Sequence, residues 1–287
     1  MTTVVMFNGQ GAEFVGMGAS DSKNSLTFKE TMQQAQASLP FDLMGYLFGE
    51  SPLVQHPDLL QPALVAYELA VYQASGIQAD VLIGLSLGEY AAVCAARMAT
   101  LAEIMQVTLV RGQAMAKAAL QTPGQMLAIQ LRQGQELPPL PAGIWQANRN
   151  APTQVVVGGQ AAALDAFAAE LKQAKLRHLP LEVAGAFHTP LMQSAQPALH
   201  EALQQVNWRS GQATWSTTAQ APFVPETITE TLTAQLTHGT DFAQTVALLA
   251  AQGATDFIEI SPKPMLAKLV SRQLPQVHVV SLSDQML

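Results

Sequence analysis

The chain has 287 residues, 49% hydrophobic and only 12% charged, a balance that suits a packed α/β globule and excludes a disordered or fibrous chain. A formal net charge of −7 with 14 basic residues leaves no general attraction for nucleic acid or an anionic membrane. Cys94 is the only cysteine, which excludes an internal disulfide and a thiolate zinc site and leaves it the role of a small apolar residue. In chain order, Thr3 to Phe7 reads as a buried strand entering the turn Asn8-Gly9-Gln10-Gly11. The N-terminal stretch Met1 to Phe7 lacks the basic region and long apolar stretch of a signal peptide. No run approaches the ~20 apolar residues that span a bilayer, so a cytoplasmic location is expected. Ser25 to Leu39 is helical by period, with Thr27 and Glu30 in a capping arrangement near its start. Leu59 to Tyr72 presents Leu60, Leu64, Tyr67 and Val71 on one side of a second helix, stopped by Gly76.

The run Asp80-Val81-Leu82-Ile83 leads into Gly84-Leu85-Ser86-Leu87-Gly88 and then a small-residue helical stretch from Glu89. Strand, Gly-x-Ser-x-Gly and helix in that order are what a nucleophile elbow requires. The glycines permit a turn too tight for a Cβ, and the helix start favours negative charge at the serine. Ser86 is therefore the expected covalent catalyst. Thr100 reads as the N-cap of a long helix, Leu101 to Leu120, ended by Pro123-Gly124.

Beyond Gly124 the pattern changes. Strands at Gln125 to Leu131, Ile144 to Ala147 and Gln154 to Val157, an alanine-rich helix at Ala161 to Ala174 and a strand at His178 to Val183 read as a small separate sheet with a helix on it. The domain organisation expected is thus a large α/β domain from 1–123 and 186–287 with a small α+β domain at 124–185 inserted in it. A helix near Leu191 to Val206, a strand near Ala213 to Ser216, a helix from Phe242, a strand to Ile260, a helix from Met265 and a last strand at Val277 to Ser281 complete it.

A serine hydroxyl needs a base in reach and donors for the oxyanion that forms on attack. Of six histidines, His56, His200, His238 and His278 read as surface or helix positions. His188, in Gly185-Ala186-Phe187-His188-Thr189-Pro190, sits in a loop between a strand and a helix, where active-site groups concentrate, and is the candidate base.

Seven blocks of the chain resemble, in order, the motifs of the malonyl-CoA:acyl carrier protein transacylases. They begin at Asn8-Gly9-Gln10-Gly11, Gly84-Leu85-Ser86-Leu87-Gly88, Arg111-Gly112-Gln113-Ala114-Met115, Pro123-Gly124-Gln125, Asn148-Arg149-Asn150-Ala151-Pro152, Gly185-Ala186-Phe187-His188 and Glu259-Ile260-Ser261-Pro262. The resemblance implies an α/β-hydrolase-like large domain with a ferredoxin-like small one, an acyl-serine at Ser86, and His188 as the base. It also implies an oxyanion held by the amides of Gln10 and Leu87, and a main-chain carbonyl near Gln235 in place of a triad aspartate. Arg111 would hold the malonyl carboxylate through two parallel charge-assisted hydrogen bonds. Met115, Asn150 and Phe187 would line the substrate site, with Phe187 and Leu87 favouring malonyl over methylmalonyl. The implied substrate is malonyl-CoA, the implied partner an acyl carrier protein, and no metal or redox cofactor is expected. Acidic carriers would meet Lys172, Lys175, Arg177 and His178, or Lys263, Lys268 and Arg272.

The chain departs from the family at Leu85 (usually histidine), Glu13 (commonly glutamine), Asn8 (usually proline) and Ser261 (usually glycine). The competing readings are an acyl hydrolase, with Asp165 or Glu182 as an orienting acid, the malonyl transferase subunit of a malonate decarboxylase, and a non-catalytic carrier-docking module. Arg111 argues against the first, because a carboxylate clamp has little use with neutral acyl chains. Intact Ser86 and His188 argue against the last.

Overall fold

The computed structural model describes residues 2–49, 58–218 and 227–283; His56 lies outside them. The chain divides into two compact units. The first comprises Met1–Gln113, Glu201–Thr218 and Val246–Leu287, the second Ala114–His200 and Ala219–Thr245. Among the described residues ten strands run in chain order: β1 (Thr2–Phe7), β2 (Val81–Gly84), β3 (Gln125–Gln130), β4 (Ile144–Ala151), β5 (Gln154–Gly159), β6 (Arg177–Pro180), β7 (Thr214–Trp215), β8 (Thr240–Asp241), β9 (Ala254–Ile260) and β10 (His278–Leu282). Both parts have the expected class, a parallel-sheet α/β-hydrolase-like unit and a smaller ferredoxin-like sheet crossed by a helix.

In the first unit the sheet order is β10-β9-β1-β2-β7, with every neighbouring pair parallel. Strand β1 is a continuous apolar run because a central parallel strand is covered on both faces; Val4, Val5, Met6 and Phe7 are fully buried. Register decides where the chemistry emerges. Phe7 lies opposite Gly84 on one side and Ile260 on the other, so Asn8, Leu85 and Ser261 leave the sheet together at its carboxyl edge, where open α/β sheets place their sites. The helix Leu60–Ser75 is buried at every residue from Leu60 to Val71. That burial includes Gln61 and Glu68, two polar groups that must therefore find partners inside.

The helix Leu101–Gln121 starts with a reciprocal cap: Thr100 Oγ1 accepts from the Glu103 N–H at 3.2 Å, and Glu103 Oε2 accepts from the Thr100 N–H at 2.7 Å. Glu103 also accepts from the Asn207 N–H at 2.9 Å and from Arg209 at 3.1 Å. The cap expected at Thr27 and Glu30 is not formed. Ser25, in extended conformation, is the N-cap and accepts from the Phe28 N–H at 3.2 Å, so Thr27 already lies within the helix Leu26–Gln36.

In the second unit β6-β3-β5-β4 are antiparallel neighbours, and β8 adds to β4 in parallel with Asn148 opposite Thr240. One face packs Leu127, Ile129, Val155 and Val157 against Leu164, Phe167 and Leu171 of the helix Ala161–Gln173. The other face gathers Met126, Ala147 and Val156, with Phe187 packed against them. The strand β8 and the helix Ile228–Ala234 lie outside the 124–185 segment read from the sequence. The stretch near Leu191 to Val206 is a 3-10 turn, Pro190–Ala195, followed by the helix Gln196–Gln204. Among the described residues no helix is long and apolar enough to cross a membrane.

Candidate active site

In the first unit, β2 ends at Gly84 and the helix Gly88–Ala95 begins four residues later, which forces Ser86 into the left-handed region at φ 55°. For a residue with a Cβ that conformation costs on the order of 1–3 kcal/mol and persists only where the surroundings impose it. The surroundings do so here by crowding. A Cβ on Gly84 would stand 1.9 Å from the Gly88 carbonyl carbon, and one on Gly88 would stand 2.2 Å from the Phe7 carbonyl oxygen. Both positions thus need glycine for space. Glu89, fully buried, ties the elbow down from its far side: it accepts from the Thr218 N–H at 3.0 Å and from the Thr218 hydroxyl at 2.7 Å, and that hydroxyl also lies 3.1 Å from the Gly84 carbonyl.

Arg111 is fully buried in the middle of its helix. Its Nη1 donates to Gln61 Oε1 at 2.7 Å, its Nη2 reaches Ser86 Oγ at 3.4 Å, and the guanidinium lies over the Tyr90 ring, 5.2 Å from the centroid. Burial lowers the basicity of Arg111, and Tyr90 and Glu89 counter that shift; an arginine stays cationic under such a load. Burial likewise pushes the Tyr90 phenol up to about 12, so it stays neutral beside the cation. Gln61, which the sequence did not single out, joins the cation to the opposite wall by donating to Gln10 Oε1 at 3.2 Å. Its signal was an amide on the apolar face of a helix that otherwise buries, of its polar side chains, only Glu68.

Gln10 and Leu87 both border the elbow, and among the described residues neither main-chain N–H has an acceptor. Gly9, beside Gln10, approaches so closely that a Cβ there would stand 2.8 Å from the Leu85 carbonyl oxygen. Glu13 braces the far end of this turn by accepting from the Gly11 N–H at 2.6 Å. Leu85 is half-buried, with its N–H donating to the Phe7 carbonyl at 2.9 Å.

In the second unit His188 is buried, at 4% exposure, and also left-handed at φ 58°. Its Nδ1 lies 2.8 Å from the Gln235 carbonyl oxygen, which can only accept; Nδ1 therefore carries the proton and Nε2 presents a lone pair. Asp165 and Glu182, the alternative orienting acids, are exposed, and the Nδ1 they would serve is taken by Gln235. Thr189 fixes the following turn, its hydroxyl donating to the Ala186 carbonyl at 2.6 Å and accepting from the Leu191 N–H at 3.3 Å. Asn150, at the end of the β4–β5 hairpin, donates to Gln154 Oε1 at 3.2 Å, and Met115 is buried one turn after Arg111 in the same helix. The structure thus groups Ser86, Arg111, Gln10 and Leu87 in one unit and His188 with Gln235 in the other.

Burial raises the Cys94 thiol to about 12, leaving it no thiolate character to compete with a serine. Among the described residues no group of three or more His, Cys, Asp or Glu side chains could hold a metal ion.

Comparison with known proteins agrees along the whole chain. The acyl transferase domain family matches residues 4–284. The malonyl CoA-acyl carrier protein transacylase of Bacillus subtilis (strain 168) is 30% identical, over 97% of this chain and 92% of that protein. The crystal structure of MCAT from Streptococcus pneumoniae superposes with a TM-score of 0.90 at 30% identity, covering 99% of this chain and 97% of that one. A malonyl-transacylase solved in complex with its type II polyketide synthase acyl-carrier protein gives 0.90 at 25% identity, again covering 99% and 97%. The chain therefore belongs to the acyl transferase domain family, among the malonyl-CoA:acyl carrier protein transacylases.

Proposed function

We propose that this chain transfers a malonyl group from malonyl-CoA, through an acyl-serine at Ser86, to the phosphopantetheine thiol of an acyl carrier protein. The observation that carries the reading is the buried Arg111 guanidinium 3.4 Å from Ser86 Oγ. A cation kept dry beside a nucleophile favours an acyl group with a free carboxylate, since each charge-assisted hydrogen bond contributes about 1.5–3 kcal/mol.

In this reading Ser86 Oγ attacks the thioester carbonyl while His188 Nε2 takes the hydroxyl proton, and the Gln10 and Leu87 amides receive the oxyanion. The tetrahedral species collapses by releasing coenzyme A, whose sulfur takes the proton back from His188. The carrier thiol then repeats the sequence in reverse, leaving Ser86 free. Met115, Asn150 and Phe187 are assigned to the acyl pocket. The exposed Lys172, Lys175 and Arg177, or Lys263, Lys268 and Arg272, are assigned to the anionic carrier or coenzyme A phosphates. A cytoplasmic location belongs to the same proposal.

Intact-mass measurement after mixing with malonyl-CoA or acetyl-CoA tests it. A malonyl adduct that is absent in Ser86→Ala and passes to a carrier thiol is expected. Arg111→Ala should lower malonyl loading about 10- to 100-fold more than acetyl loading, following from the lost charge-assisted pair. Preferential acetyl labelling, or loss of the adduct to water without transfer, would establish the hydrolase instead.

A further inference from the structure

Asn8 ends strand β1's path and starts the turn that carries Gln10, and it is fully buried. Four bonds hold it. Its N–H donates to Glu68 Oε1 at 3.0 Å, Nδ2 donates to Ser261 Oγ at 3.0 Å and reaches Glu259 Oε1 at 3.4 Å, and Oδ1 accepts from the Gly9 N–H at 2.9 Å. Ser261, also fully buried, donates onward to the Lys263 carbonyl at 2.7 Å. Glu259 accepts from the Met265, Leu266 and Ala267 amides at 2.8, 2.9 and 3.0 Å, which anchors the whole group to the start of the helix Leu266–Gln273.

Asn8 and Ser261, two positions where the sequence differs from the motifs it resembles, are bonded to each other. The exchange is chemically matched. A proline at position 8 has neither the N–H that Glu68 receives nor a side-chain donor, and a glycine at 261 has no hydroxyl to accept one. Glu68 belongs to the same set: burial pushes its carboxyl well up, the Asn8 N–H opposes that, and Glu259 adds to the rise. The turn so anchored lies against the elbow with no room for a side chain between them: a Cβ on Gly9 would stand 2.8 Å from the Leu85 carbonyl oxygen.

We propose that Asn8 and Ser261 are a coupled pair of positioning residues that set the Asn8–Gly11 turn, and through it the Gln10 amide, against Ser86. The proposal rests on the malonyl-transfer reading only in giving that amide an oxyanion to receive. A donor misplaced by a fraction of an ångström loses part of the roughly 10²–10³-fold that one oxyanion donor supplies.

The test uses the full chain with Asn8→Ala, Ser261→Ala and the double variant. Two rates are read per titrated active site: steady-state malonyl transfer, and phosphonylation of Ser86 by a fluorophosphonate, which needs the same oxyanion donors but no malonyl group. Each single variant should lower kcat and phosphonylation about tenfold, with the malonyl-CoA KM changed less than about twofold because Arg111 and Gln61 are untouched. The double variant should be no more than about twofold slower than the slower single one, as expected of groups acting as a unit. Wild-type rates per titrated site in the singles, even with a lowered Tm, overturn the proposal, as do losses that multiply in the double variant. Should Asn8→Ala fail to fold, Ser261→Ala and Ser261→Gly carry the decision: both must slow phosphonylation. If the wild type is phosphonylated but takes no malonyl, the functional reading fails and the pair is judged on phosphonylation alone.

Discussion

The Ser86 turn and the His188 loop both hold a non-glycine residue in left-handed backbone, at φ 55° and 58°, yet they are held by different means. Ser86 is fixed by crowding: Gly84 and Gly88 meet backbone where any Cβ would stand, and Gly9 closes the remaining side. His188 is fixed by hydrogen bonds, its ring to the Gln235 carbonyl and the next residue's hydroxyl to its own turn. The contrast fits the two tasks. A nucleophile is needed at one point in space, which close-packed backbone supplies at little entropic cost. A base must exchange a proton without losing its orientation, which a carbonyl acceptor on Nδ1 secures in both protonation states.

The comparison breaks first at Gly88. Gly88→Ala places a methyl 2.2 Å from the Phe7 carbonyl oxygen, so the elbow or β1 must shift. A loss of more than about 3 kcal/mol in denaturant unfolding, together with loss of acyl-enzyme formation, is expected. Wild-type behaviour would show that crowding does not hold the turn. His188→Asn removes the base but suits left-handed backbone, so turnover should fall about 10²–10⁴-fold while the thermal midpoint moves by only a few degrees. A large drop in stability instead would mean that the His188 ring holds the loop as strongly as glycine packing holds the elbow. Gln235→Ala should matter least. It keeps the carbonyl that orients His188, and kcat within about threefold of wild type, read beside the His188 variant, separates main-chain from side-chain function.

The elbow was legible because its requirements are local: strand, Gly-x-Ser-x-Gly and helix fall within a few residues, and the glycines are explained by contacts at the same turn. The strands and helix of the small sheet were legible for the same reason, each carrying its own period. What escaped is what depends on distant residues. Gln61 reads as one amide on an apolar helix until Arg111, fifty positions away, bonds to it. Asn8 pairs across 253 positions with Ser261, and Glu89 across 129 with Thr218; no local pattern joins either pair. Strand β8 is two residues long and gains its identity only by lying beside Asn148. The Thr27 cap was misread because Ser25, two residues earlier, offers the same chemistry at the point where the backbone is still extended.

Glu103 gives the helix bearing Arg111 an acid limit. Its partial burial opposes ionisation, but hydrogen bonds from Thr100, Asn207 and Arg209 outweigh that and hold its carboxyl down at about 2 against an ordinary 4.5. A carboxyl depressed in the folded chain stabilises it fully above the ordinary value, and that contribution fades as pH falls toward the depressed one. The difference in melting temperature between wild type and Glu103→Gln should therefore be constant above about pH 5.5 and close steadily toward pH 2. Part of the acid tolerance of the helix that carries the guanidinium thus resides two to three turns away, in the cap at its start.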